Sequence, residues 1–168
     1  MTISMYNSSI PVFIRHLKNL SAILNKAASY AELKKIDPSF LINDRIAPDM
    51  LPFVRQIQIV SDTAKSGAAR LAGVEVPSFE DNETTFSQLQ ERLTKTVTFL
   101  QSLTVEQIDG SEERKINYTQ RGKERNFIGQ PFLLNYILPN FYFHITIAYA
   151  ILRHDGLDIG KKDFLGEV

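Results

Sequence analysis

The chain has 168 residues with 43% hydrophobic and 23% charged residues, ordinary globular usage that excludes a disordered or fibrous protein and supplies enough apolar material for one core. Its 19 basic residues balance 19 acidic ones, so no net field draws it to nucleic acid or an anionic membrane. There are no cysteines, which excludes disulfides, thiolate metal sites and cysteine nucleophiles.

The opening residues Met1 to Tyr6 lack the basic-then-apolar succession of a signal peptide, and no apolar run is long enough to span a bilayer. The expectation is a cytoplasmic protein, a single domain over 1–168, without a membrane partner.

From Ser9 to about Ala28, Ile10, Phe13, Ile14, Leu17, Leu20, Leu24 and Ala28 recur at helical spacing. This is helix one, with Ser8 or Ser9 as its cap and His16 at the edge of the apolar stripe as a packing or surface residue. Residues 30 to 48 carry turn chemistry, with Asp37-Pro38 placed to cap one short helical turn. Helix two is expected from about Asp49 to Ala72, stopped by Gly73, with an apolar seam through Phe53, Ile57, Val60, Ala64, Ala68 and Leu71. Its second half, Ala64, Gly67, Ala68, Ala69 and Ala72, is small enough for close approach of another helix or subunit. Gln56 and Gln58 flank the seam and Asp62 lies one turn on, either as surface polarity or as ligand contacts.

Thr85-Phe86-Ser87-Gln88 forms a capping box for helix three, whose apolar residues run from Phe86 to Leu103. Between Asp109 and Gly129 the periodicity becomes alternating around Ile116 and Tyr118, with Gln120-Arg121-Gly122-Lys123 placed to reverse the chain as a β-hairpin. This is the most basic segment, yet Glu112, Glu113 and Glu124 offset it, so nucleic acid is not the expected partner.

Helix four spans Pro139 to Gly156, with Pro139 either starting it or kinking a longer helix. Phe141, Ile145, Ala148 and Leu152 form one seam and Ile147 and Ile151 another, so it reads as nearly surrounded by protein. Asn140 and His144 lie four residues apart on one face and require polar partners. The tail beyond Leu157 carries Ile159, Phe164 and Leu165 to dock it. The architecture is all-α: four helices in a bundle, with a small β-hairpin between helices three and four.

His144, followed at eight, nine and twelve residues by Leu152, Arg153 and Gly156, resembles the helix-four motif of the DinB/YfiT-like superfamily of bacterial four-helix bundles. Asn-Phe-Tyr-Phe-His at 140–144 and Gly-Lys-Lys-Asp-Phe-Leu-Gly at 160–166 resemble one uncharacterised bacterial family within it. The resemblance implies a site in which two helix-four histidines and one from helix two hold a divalent metal such as zinc or nickel. Only His144 matches a histidine; Asn140 occupies the first position, and rough register puts Gln58 at the third. One imidazole and two amides bind such an ion weakly. No cofactor is therefore expected, and any residual metal would rest on His144.

Three readings result. In the first, Asn140, His144, Gln58 and Tyr149, with Gln56 and Asp62 nearby, line a polar pocket for a small molecule. In the second, His144 is a general base or residual ligand in a hydrolase or thiol-transferase-like reaction. In the third, Asn140 and His144 are a buried hydrogen-bonded pair in a homodimerising bundle.

Overall fold

A computed structural model describes residues 3–167; Met1, Thr2 and Val168, the ends of the domain read from the sequence, lie outside the described residues. The elements run α1 (Ile10–Lys34), α2 (Pro38–Asn43), α3 (Phe53–Ala72), α4 (Phe86–Gln101), α5 (Val105–Ile108), β1 (Lys115–Gln120), β2 (Lys123–Ile128), α6 (Gly129–Phe132), a π-helical turn (Leu133–Ile137), α7 (Leu138–His154) and α8 (Lys161–Leu165). The fold is mostly helical with one small antiparallel hairpin. α3 packs against α7 and α4, and α1 packs against α4, α8 and α7.

The helix ends follow local chemistry. α1 runs six residues beyond the expected Ala28 because Ala27 and Ala31 continue the buried stripe, and it stops where Lys35 turns left-handed at φ 55°. Its serine cap is not formed: the Ser9 hydroxyl donates to the Met5 carbonyl at 2.7 Å instead. Asp37 caps α2 by accepting from the Ser39 amide at 2.9 Å. α3 begins at Phe53, four residues later than expected, since Pro52 is extended and the Phe53 amide is already satisfied by the Asp44 carbonyl at 2.8 Å. It ends as expected at Gly73, φ 72°. The α4 capping box is formed, with Thr85 Oγ1 accepting from the Gln88 amide at 3.2 Å and Gln88 Oε1 accepting from the Thr85 amide at 3.1 Å.

Pro139 neither simply starts nor breaks the last long helix. The helical path runs unbroken from Gly129, and just before the proline it widens, the Leu138 amide bonding to the Leu133 carbonyl five residues back. Pro139 has no N–H with which to restore the ordinary ladder, so the local solution is a π turn. α7 is also less enclosed than its composition suggests. Phe141, Ile145, Ala148, Ile151 and Leu152 are buried, but Phe143 is 54% exposed.

The small residues of α3 serve contacts within the chain. A side chain on Gly67 would lie 2.7 Å from Ile137 of the π turn, and Ala64, Ala68 and Ala69 are fully buried. His16 is buried against the rings of Tyr142 and Phe164, at centroid distances of 5.2 and 5.5 Å. Burial lowers its pKa, as expected of a packing residue.

The hairpin reverses at Arg121-Gly122, both left-handed, at φ 50° and 72°. Strand pairing sets Tyr118 opposite Arg125 and Ile116 opposite Phe127. Phe127 fastens the hairpin to the helical path, packing on Phe132 at 5.2 Å and Tyr136 at 5.0 Å. The strand enters that path at Gly129, where a Cβ would sit 1.8 Å from the Ser111 carbonyl oxygen, a backbone atom that cannot swing aside. Gly129→Ala is expected to destabilise the fold by about 3 kcal/mol or more, seen as a lowered thermal or denaturant midpoint; an unchanged midpoint would contradict this packing.

Candidate functional site

The site grows from the contact between α3 and α7. Their small residues bring the helices close enough for polar groups to meet directly across the seam. The His144 Nδ1 lies 2.7 Å from Gln56 Oε1, and one turn earlier Asn140 Nδ2 donates to Thr63 Oγ1 at 2.9 Å. The Gln56 amide is itself oriented, because its Nε2 donates to the Leu51 carbonyl at 2.9 Å. Its oxygen must then face the imidazole, which makes Nδ1 the donor and leaves Nε2 unprotonated, as the acceptor His144 offers to its surroundings. Burial lowers the His144 pKa from its ordinary 6.5, reinforcing the neutral ring.

Asn140 and His144 form one wall of a cleft of about 770 Å³, closed on its other sides by α3, the loop around Phe79 and the hairpin. Asp62 and Thr63 also line it. The remaining expected residues are placed differently. Gln56 reaches the site only through His144. The register that put Gln58 beside His144 is off by two residues: Gln58 points toward the α3–α4 loop, donating to Glu83 Oε2 at 2.7 Å and accepting from Arg55. Tyr149 is turned toward the tail, its hydroxyl donating to the Ile159 carbonyl at 3.3 Å and its ring packed on Phe164.

This donor set does not fit the metal of the resembled superfamily. Around His144 stand an amide oxygen, a hydroxyl and a second amide, and among the described residues no three histidine or carboxylate side chains converge to hold an ion.

The charges are distributed unevenly. The guanidinium of Arg92, buried on α4, binds Asp62 and Glu83 at 2.8 Å each, Asp81 at 3.0 Å and the Glu80 carbonyl at 3.0 Å. These contacts outweigh desolvation and raise the Arg92 pKa, while Glu83 and Asp81 are held below their ordinary range by their arginine partners against an opposing burial effect. Lys65, also buried, pairs with Asp62 at 2.8 Å and lies over the Phe79 ring at 4.0 Å. The cleft is left with cations: Arg55, Lys65, Arg70, Arg121 and Arg125 line it against the single carboxylate of Asp62. Arg55 is paired with Asp81 at 2.6 Å. Arg70, Arg121 and Arg125 have no ion-pair partner among the described residues. Arg70 is half-buried over the Tyr118 ring at 3.9 Å, and burial lowers its pKa.

The sequence does not single out Arg92 and Lys65, because charged residues on a helix are ordinarily solvated. Their one signal is position: each falls among buried neighbours of an apolar seam, Lys65 after Ala64 and Arg92 before Leu93.

No helix is long and apolar enough to cross a membrane among the described residues. The model of a family described as a domain of unknown function, DUF1993, matches residues 5–165. The chain is similar to the crystal structure of a DinB family member protein from Shewanella denitrificans, with 41% sequence identity and a TM-score of 0.88 over 97% of this chain and 92% of that one. No curated protein matches.

The neutral tautomer leads to a direct check. Nitrogen-resolved NMR of the imidazoles should place the His144 proton on Nδ1 and its titration midpoint below 6.5. Because the folded state resists this proton, the stability tied to His144 is full above 6.5 and drains as the pH falls toward the folded midpoint. A proton on Nε2 in the neutral ring, or a midpoint at or above 6.5, would contradict the arrangement.

Proposed function

The chain belongs to the DUF1993 family of DinB-like proteins, and on that premise we propose that it binds a small molecule in the cleft walled by Asn140 and His144, at a site where the superfamily's metal triad has been replaced. The observation that carries this reading is the preorganised polar pair on the cleft wall. Each side chain is held by a partner on α3, so its remaining hydrogen-bonding capacity points to a fixed direction at little entropic cost. A pair serving only to join two helices would not need a cleft of about 770 Å³ beside it.

A second reading, catalysis, is favoured by the unprotonated Nε2 of His144. With Nδ1–H donated to Gln56, this ring is set as a general base toward a ligand in the cleft. Such chemistry would be hydrolysis or group transfer and needs no ion.

One experiment addresses both. Ligand-observed NMR with a mixture of small metabolites should reveal binders to the wild type whose signals vanish for Ser66→Trp, a substitution on the cleft lining that fills it. Disappearance of a bound compound with time, abolished by His144→Ala, would support catalysis. Absence of any binder, or binding undiminished when the cleft is filled, would overturn the small-molecule proposal.

A further inference from the structure

We infer that the cleft's ligand is an anion, a small molecule whose carboxylate or phosphate group is seated by Arg70, Arg121 and Arg125 while its other end reaches Asn140 and His144. This rests on the small-molecule reading above and adds the chemical class of the ligand.

Three observations converge. The first is the charge imbalance: on a chain with 19 basic and 19 acidic residues, the cleft lining has five cations and one carboxylate, Asp62, which is already held by Arg92 and Lys65. Excess cation is thus confined to the hairpin side. The second is the state of Arg70. Half-buried, it lies over the Tyr118 ring at 3.9 Å and donates to the Ser66 carbonyl at 3.2 Å, with no carboxylate partner among the described residues. A partly desolvated guanidinium with unfilled donors is what a bidentate acid group completes. Arg125, paired across the strands with the same Tyr118, is a second cation on the cleft lining with no ion-pair partner among the described residues.

The third observation is backbone strain. Arg121 and Gly122 are both left-handed in a two-residue hairpin turn, a geometry that favours Asn-Gly or Gly-Gly. A β-carbon at φ 50° is less well accommodated for arginine than asparagine or glycine would be in the same turn, whose twist matches that of the strands it joins. The side chain so placed lines the cleft mouth. Strain tolerated at a cleft mouth, in favour of one particular charged side chain, points to binding.

The test uses the full chain without a histidine tag. Succinate, inorganic phosphate and the neutral diamide of succinate are titrated in low salt and followed by amide and guanidinium NMR. At least one of the two anions is expected to produce saturable shifts at Arg70, Arg121 and Arg125, and the diamide none; which anion binds more tightly tells a carboxylate site from a phosphate site. Arg121→Asn should weaken anion binding about tenfold while raising the melting temperature, since asparagine suits the left-handed turn. Arg125→Gln should weaken binding by a similar factor. The inference fails if the diamide binds as well as succinate, if neither anion shifts these residues, or if Arg121→Asn and Arg125→Gln leave anion affinity unchanged. Each of these results leaves the small-molecule proposal standing, because that proposal depends on the loss of binding in Ser66→Trp.

Discussion

The buried guanidinium of Arg92 is the contact on which the rest of the site depends. It gathers Asp62 from α3 and Asp81 and Glu83 from the connecting loop, and accepts the cost of its own burial in exchange for contacts to three carboxylates and one carbonyl. Two consequences follow. The loop from Gly73 to Thr85 is tied across α3 and α4, which puts Phe79 over Lys65 and builds one cleft wall. The local acids are also spent there, so the arginines on the opposite side face the cleft uncompensated. A chain neutral overall thereby acquires a locally cationic cleft, which a count of charges along the sequence does not reveal.

The α3–α7 seam contributes the complementary part. Close approach is possible because Gly67 and its alanine neighbours present almost no side chain, and the π turn forced before Pro139 delivers Ile137 into the space. At that distance Asn140 and His144 meet Thr63 and Gln56 directly rather than through a shared ion. The fold is that of a DinB family member, while amides and a hydroxyl stand where the sequence resemblance implies imidazoles. Hydrogen bonds from Asn140 to Thr63 and from His144 to Gln56 join α3 and α7 and fix one tautomer of the histidine.

Much of this was legible in the sequence wherever a local rule governs. The α4 capping box, the Gly73 stop, the Asp37-Pro38 turn and the reversal at Arg121-Gly122 all follow from chemistry within a few residues, and the spacing from His144 to Gly156 carried the family. What failed depends on distant partners. α1 outran its expected end because its last turns are buried by other elements, and α3 began late because the Asp44 carbonyl had already taken its first amide. Gln58 and Gln56 are separated by about 200° around a helix, so an error of two residues in register exchanges one face for the other. Tyr149 lies a turn beyond the site and answers to the tail instead. Arg92 and Lys65 were hidden for a more general reason: long charged side chains are usually solvated, and only the fold shows which are enclosed.

The central claim is that charge partition leaves the cleft as an anion site. Crystal structures of the protein grown at low ionic strength with succinate and with inorganic phosphate test it most directly. The account predicts at least one of these anions in contact with the guanidinium groups of Arg70, Arg121 and Arg125, with the far end of succinate, where it binds, extending toward Asn140 and His144. A cleft empty of both anions at saturating concentration, or the anions seated elsewhere on the surface, would contradict it.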